Sequence, residues 1–593
     1  MSVFDNLVPQ PQRVERVGDA WYTPQGQPAV LRGPYTDTRL QRAAASLFSD
    51  CSSEYSSHWE LTCGNCLCGH RKLSYAVDAY RLEVTPDGMR LAADEPRGLF
   101  YGIQTLSCLR EEERFPCCCI EDWADVAIRC DYLEFRNFYP QKEHLETVFN
   151  DMGRRRVNAV IVELENKRPF HFAPHLQDAE AGFTVAVIEL IKRCAYDNFI
   201  ELIPLQQTFG HLEYVLREPE WLHLRELPDA PDELCPSKKD SVELAATLLR
   251  DLAEIFPEAK YLHMGCDEVW SLGSCSECVA SALTKQQLFI QYVNRLIDVV
   301  CSIGKTPLLW HDMLADCTAD DLQKLDHRGI IVLWMYDGND LQKRAGAMLE
   351  KFHVAGLTVW GGCAVRCWDR SGMQNYPVLT KRQKNISNWA EVAIRYELPG
   401  VVNTNWSAYS ALACPYGIYE TSCYPACFAA EKLWNHTVNA NDFLYRFLEW
   451  WHDVDTTMLQ QDGWQFEDYY HLLAQLKPAK HGELARWMQL VMDYEEATQG
   501  DFPAPLQLFR VELWPERVEE WESLRQRYKK TFTRLAELHT TMAEELSRWM
   551  DPNACKAYIH SRFNVWFVLE KAIRDRAREA GMEEFRAILT KAD

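Results

Sequence analysis

The sequence holds no run of about 18 consecutive apolar residues, the length a helix needs to cross a bilayer. Its opening, Met1-Ser-Val-Phe-Asp-Asn-Leu-Val-Pro-Gln10, lacks the basic cap and apolar core of a secretory leader, so the chain is expected to be soluble and cytoplasmic, with no membrane partner. There is no long Lys/Arg run, and a formal net charge of −23 repels phosphate, which argues against nucleic acid as a partner. No G-x-G-x-x-G follows the first strand-like segment, which counts against a dinucleotide fold. Internal repeats and low-complexity tracts are also missing, which excludes solenoids.

Cysteine, by contrast, is plentiful. Twenty-two cysteines in 593 residues would suit a small secreted scaffold, but in a chain this long most are read as reduced, buried, apolar side chains. Three groups are tighter: Cys63, Cys66 and Cys68; Cys117 to Cys119; and Cys275-x-x-Cys278. A closed zinc site takes four ligands, and the surroundings of these groups match no known zinc module. Cys275 and Cys278, joined by Cys235, leave two readings open: a structural zinc that would brace the nearby loop, or free thiols or a disulfide. Neither gives a metal a part in the chemistry, and no cofactor is expected for it.

A hydrophobic fraction of 47% and a length of 593 residues predict two or three globular domains. Residues 1–121 read as a small α+β domain. Tyr80 to Val84 and Met89 to Ala93 alternate around the turn Pro86-Asp-Gly88, and Gly98 to Leu106 has helical spacing. Residues 122–440 alternate apolar strands with amphipathic helices. Eight candidate strands are Ala127 to Phe135, Asn158 to Glu165, Phe199 to Gln206, Lys260 to Gly265, Thr306 to Trp310, Gly329 to Trp334, Gly356 to Trp360 and Val401 to Trp406. Helical stretches such as Glu143 to Arg155, Thr184 to Tyr196, Val242 to Ile255 and Gln286 to Ile303 separate them. This alternation predicts an α/β fold, a (β/α)8 TIM barrel, with an open doubly wound sheet as the alternative. Residues 441–593 read as a helical domain that packs on the barrel or serves a homodimer.

Barrel chemistry gathers where strands end. Asp267 and Glu268 end the fourth strand as adjacent acids after an apolar run, a costly placement unless it is used. Strands five to eight end in Trp310, Trp334, Trp360 and Trp406. One such Trp is ordinarily core, but indoles in register suit the apolar faces of a pyranose. Arg136, His211, Asp312 and Tyr336 follow other strand ends and add polar groups. Arg136 has the fork to grip paired hydroxyls, and His211 the ring to orient an acid.

His263-Met-Gly-Cys-Asp-Glu-Val269 resembles the H-x-G-x-D-E motif of glycoside hydrolase family 20, the β-N-acetylhexosaminidases. Leu7-Val-Pro-Gln-Pro-Gln12 and the Gly98 to Leu106 helix resemble that family's N-terminal domain, and Gln207-Thr-Phe-Gly-His-Leu-Glu213 is similar to its hexosaminidase D type. The resemblance implies hydrolysis of glycans ending in β-linked N-acetylhexosamine, with the substrate's own acetamide as nucleophile. It implies Glu268 as acid and base, its pKa raised by Trp and by its neighbour, and Asp267 as the group steadying the acetamide.

Three positions depart from the family pattern. Gln207 stands where many members have Asp, Glu163-Leu-Glu-Asn166 replaces an Asp-bearing segment after strand two, and Gly361-Gly-Cys-Ala364 replaces a Tyr-x-Asp after strand seven. Tyr336 is the substitute expected for the missing Tyr. Two other classes compete: a barrel metallohydrolase using His263, Asp267, His311 and Asp312, and a non-catalytic glycan-binding protein.

Overall fold

The computed structural model describes residues 3–23, 30–32, 37–47, 59–63, 78–135, 142–177, 182–230, 232–367, 377–406 and 418–476. Strands β1 (Arg13–Tyr22), β2 (Val30–Arg32), β3 (Trp59–Cys63), β4 (Tyr80–Thr85), β5 (Gly88–Ala93) and β6 (Phe115–Asp122) form one sheet in the order β1-β6-β4-β5-β3-β2. The expected hairpin is β4–β5, with Thr85 opposite Gly88 across a tight turn. The helix Pro96–Leu109 follows, opened by a proline whose missing N–H costs nothing in the first turn. It buries Leu99, Ile103 and Leu106 against Leu82 and Leu91 of the sheet. The Cys117 to Cys119 run lies in β6, with Cys117 and Cys118 buried, so these cysteines serve as strand residues. Cys66 and Cys68 lie outside the described residues.

Strands β7 (Ile128–Glu134), β8 (Ala159–Glu163), β9 (Glu201–Leu205), β10 (Tyr261–His263), β11 (Thr306–Trp310), β12 (Ile330–Trp334), β13 (Thr358–Arg366) and β14 (Gly400–Asn405) close into a parallel barrel, β14 pairing with β7. Their apolar runs follow from burial on both faces. In β8, Ile161 points inward onto Ile203, Leu308 and Val332, while Val160 and Val162 join the outer core beneath the helices. The four helices named from periodicity are found as Lys142–Arg154, Val185–Asp197, Ser241–Ile255 and Lys285–Ser302. Leu341–Val354 and Leu379–Arg395 complete the later crossovers.

Strand seven differs from the expectation. β13 does not stop at Trp360 but runs on to Arg366, because Gly361-Gly-Cys-Ala364 pairs with β14 from Val401 to Thr404. Trp360 consequently lies near the strand starts, edge-on to Tyr261 and beside Gly400 and Ile128, in the lower filling of the barrel. It is not a wall of the rim.

The sheet is bolted to the barrel by a buried polar cluster. Asp122 accepts hydrogen bonds from Tyr80 Oη (2.6 Å), Arg156 Nη1 (2.5 Å) and Trp434 Nε1 (2.8 Å), and Arg129 pairs with Asp78 at 2.9 Å. Helices Ala440–His452 and Tyr469–Gln475 begin the region read as a C-terminal helical domain. Leu506 to Arg548 and Val565 to Ile588 lie outside the described residues. Among the described residues no helix is long and apolar enough to cross a membrane.

Candidate active site

After β10 the chain turns sharply, with positive φ at Gly265 (66°), Cys266 (70°) and Glu268 (53°). Non-glycine residues held there are strained, and such strain persists where the surroundings fix it. Here they do. Gly265 leaves no room for a side chain, since a Cβ would stand 1.9 Å from Gln207 Oε1. His263 Nδ1 accepts the Gly265 N–H at 3.0 Å, and burial takes this imidazole down to a pKa of about 3, so it stays neutral. Thr208 Oγ1 donates to the Met264 carbonyl at 2.6 Å. The turn delivers Asp267 buried and Glu268 half-exposed, with side-chain exposures of 9% and 42%.

Asp312 and His211 converge on this pair. Asp312 Oδ2 accepts the backbone N–H of Glu268 at 2.9 Å. Burial, and then the charges of Asp267 and Glu268, push the Asp312 carboxyl up to about 7. His211 Nε2 sits 3.5 Å from Asp267 Oδ2 and 3.4 Å from Glu268 Oε2. Its segment presses close because Gly210 has no side chain: a Cβ there would lie 2.4 Å from the Asp267 carbonyl oxygen. Behind it, Arg225 and Glu226 run antiparallel to Glu233 and Leu234 as a short ribbon, Arg225 bridging Leu234 and the Glu226 N–H donating to the Glu233 carbonyl. The Asp232 main-chain carbonyl accepts the Leu212 N–H at 3.0 Å, and the Glu233 carboxylate accepts the N–H groups of Trp270 (3.0 Å) and Ser271 (2.7 Å). One ribbon thus holds both the His211 segment and the acid-bearing loop.

Aromatic rings cluster beside Asp267, whose charge acts on the buried Tyr336. Trp310 is fully buried, its ring 4.4 Å from that of His263 and 6.0 Å from that of Trp406. Trp334 stacks on Tyr336 at 5.0 Å, and Tyr336 meets Trp406 at 6.3 Å. Tyr132 closes the ring 4.9 Å from Trp406. Among the described residues no protein atom hydrogen-bonds Asp267 Oδ1, Asp312 Oδ1 or Trp310 Nε1, all of them buried, while the Tyr336 hydroxyl has Thr404 and Trp406 beside it. Buried polar atoms without partners are uncommon, and several grouped around one acid pair suit a polar ligand.

The structure therefore gathers Asp267, Glu268, His211, Asp312, Trp310, Trp334, Tyr336 and Trp406, and leaves Trp360 below them. Arg136 lies outside the described residues. Two carboxyls here are raised by burial and neighbouring acids, Asp312 to about 7 and Asp232, behind the His211 segment, to about 6; the expectation of a raised Glu268 stays with the proposed mechanism. A buried relay lies beside the site: Tyr132 Oη donates to Glu163 Oε2, and Gln207 Nε2 donates to Glu163 Oε1 at 3.1 Å. Gln207 and Glu163 are two of the departures from the family pattern, where a rebuilt polar relay is expected; a Gln facing a Glu keeps a donor where two acids would repel. The ligand atoms of His263, Asp267, His311 and Asp312 do not form a metal-binding group among the described residues.

Two family models match the chain: "Glycosyl hydrolase family 20, domain 2" over residues 5–123 and "Glycosyl hydrolase family 20, catalytic domain" over residues 149–353, together more than half of its length. Hexosaminidase D of Bos taurus is 29% identical over 337 residues, which cover 54% of this chain and 96% of that protein. A beta-hexosaminidase of Akkermansia muciniphila is 24% identical over 334 residues, covering 49% of this chain and 64% of its own length. Among solved structures, the beta-N-acetylhexosaminidase from Bacteroides fragilis superposes with a TM-score of 0.59 at 18% identity, covering 77% of this chain and 96% of that one. A chitobiase from Flavobacterium johnsoniae gives 0.61 at 14% identity, covering 96% and 94%. At these identities the structural likeness speaks for the fold.

Proposed function

Because the chain belongs to glycosyl hydrolase family 20 and is a glycoside hydrolase, we propose that it removes terminal non-reducing β-linked GlcNAc or GalNAc from glycans by substrate-assisted retention. The acetamido oxygen of the bound sugar attacks the anomeric carbon as the glycosidic bond breaks. Glu268 gives its proton to the departing oxygen. The oxazolinium so formed is opened by water, whose proton returns to Glu268. Asp267 accepts a hydrogen bond from the acetamide N–H and steadies the positive charge as it develops. Trp310, Trp334, Tyr336 and Trp406 pack the acetamide methyl group and the sugar faces.

The observation that carries this reading is the unequal burial of adjacent acids. Asp267 keeps an unpartnered oxygen inside the aromatic enclosure, and Glu268 stands half-exposed beside it, where an aglycone would leave. A buried carboxylate oxygen wants an N–H donor, and the 2-acetamide supplies one. Arg136 is assigned by the same reading to the sugar hydroxyls.

Turnover of aryl β-N-acetylglucosaminides with graded leaving groups tests it. Glu268→Gln is expected to lower kcat by about 10²- to 10⁴-fold with a poor leaving group, and much less with an activated one that needs no protonation. Asp267→Asn is expected to lose rate on both alike. Hydrolysis of aryl β-glucosides lacking the acetamide at a comparable rate would remove the mechanism.

A further inference from the structure

Below the acid-bearing loop, four ligating side chains from two loops meet. Glu226 and Cys235 come from the ribbon after β9, Cys275 and Cys278 from the loop after β10, and one ligand atom of each lies within 4.8 Å of all the others. Cys235 Sγ is 3.4 Å from Cys275 Sγ and 3.6 Å from Cys278 Sγ, and Cys278 Sγ is 3.4 Å from Glu226 Oε2. Tetrahedral zinc with bonds of about 2.3 Å to sulfur and 2.0 Å to oxygen separates its ligands by about 3.5–3.8 Å. The observed separations are within a few tenths of an ångström of that. A disulfide would need one sulfur pair at about 2.05 Å and would leave the third thiol and the carboxylate unused.

We propose that Glu226, Cys235, Cys275 and Cys278 bind one structural zinc ion that locks the acid-bearing loop to the ribbon behind His211. Three sulfurs and one carboxylate oxygen form a closed, borderline-soft donor set, which selects Zn²⁺ over Mg²⁺ or Ca²⁺. The surroundings are set to hold it. Glu226 Oε1 accepts the N–H groups of Ser274 (2.7 Å) and Cys275 (3.0 Å), which aims Oε2 at the sulfurs. Cys278 N–H donates to Cys275 Sγ at 3.3 Å, and Ser237 Oγ lies 3.1 Å from Cys278 Sγ, partners suited to a thiolate. All four ligands lie on the two loops that hold His211, Asp267 and Glu268, and with no position left for water the ion takes no part in bond breaking.

The test is metal content and spectroscopy on the full chain, independent of turnover. Protein purified from zinc-supplemented medium is expected to carry about one zinc per chain, and the Cys275→Ser/Cys278→Ser double variant less than about a tenth of that. Replacement by Co²⁺ alone should give thiolate-to-cobalt charge-transfer absorption with tetrahedral d–d bands. Glu226→Ala should keep the charge-transfer bands while shifting the d–d envelope and weakening the metal about tenfold or more. If the double variant fails to fold, the native cobalt spectrum still decides. Native protein with less than about a tenth of a zinc per chain and no cobalt–thiolate absorption would overturn the site, as would a disulfide-linked peptide joining two of these cysteines in most molecules.

Discussion

At the scale of single residues, environment separates groups that the sequence presents as equals. Asp312 is the plainest case. Its carboxyl has an ordinary value of 3.8 and stands at about 7 in the fold. Between those values the unfolded chain has lost this proton and the folded chain still holds it, so rising pH across the window favours unfolding. The contribution is present in full below the ordinary value and gone above about 7. Asp312→Asn does not titrate and keeps an acceptor for the Glu268 N–H. Its melting temperature relative to the native protein should therefore climb from pH about 4 to about 7 and then level off. A constant difference across that range, read by calorimetry, would mean that Asp312 is ionised throughout.

The tryptophans divide in the same way. Trp360 fills the lower barrel, so Trp360→Ala should cost about 3–5 kcal/mol of stability with KM of the surviving enzyme changed less than about twofold. Trp406 stands at the rim beside Tyr336 and Tyr132. Trp406→Ala should instead lower kcat/KM by about tenfold or more while moving the melting temperature little. Paired denaturation and kinetics on the two variants check both; the opposite pattern would return Trp360 to the pocket. In the sequence each is a Trp after Val, Leu or Asn at the end of an apolar run, and only the continuation of β13 to Arg366 tells them apart.

At the scale of elements, the turn after β10 is set by its neighbours and not by its own residues. Gly210 lies against the backbone of this turn, where a Cβ would stand 2.4 Å from the Asp267 carbonyl oxygen. Gly210→Ala must push the two loops apart, and kcat is expected to fall by at least about tenfold while the barrel still folds, because a displacement of about 1 Å at reacting groups costs on the order of 10²-fold. Circular dichroism with steady-state kinetics reads both parts. Unchanged kcat would show that the loops have slack.

Strand positions were legible because parallel strands buried on both faces must be continuous apolar runs, and the helices because one stripe faces the core. The strands β1, β2 and β3 are not legible in the sequence, since short or exposed strands carry little pattern: most of β1 is solvent-facing and β2 has three residues; in β6, buried and eight residues long, the cysteine run draws attention as a cluster rather than as a strand. The make-up of the Glu163–Gln207–Tyr132 relay was hidden for another reason. Its members come from β7, β8 and the loop after β9, and their meeting depends on the register of those strands.

At the scale of the whole molecule, Asp122 joins sheet and barrel. It sits at the end of β6 and accepts from Tyr80, Arg156 and Trp434, drawn from both bodies and the helix Ile418–Trp434. Removing one partner of a buried ion pair leaves the other charge uncompensated, so Asp122→Ala should cost about 3–5 kcal/mol. If sheet and barrel unfold together, denaturant curves followed by Trp fluorescence and by far-UV dichroism should shift in step. Separate transitions in the native protein would show that the junction does not couple them.

The order of apolar runs along the chain determined a parallel α/β sheet covered by helices, and the pairing of β14 with β7 decided that it closes into a barrel. The adjacent acids after the fourth run pointed to the site proposed for the chemistry, since strand ends are where a barrel exposes side chains. Tertiary structure alone decided which tryptophans wall the site, which carboxyl holds its proton, and which cysteines meet a glutamate. Each of these is a matter of distance between segments far apart in sequence, set by strand length, register and loop packing, and no local pattern encodes it.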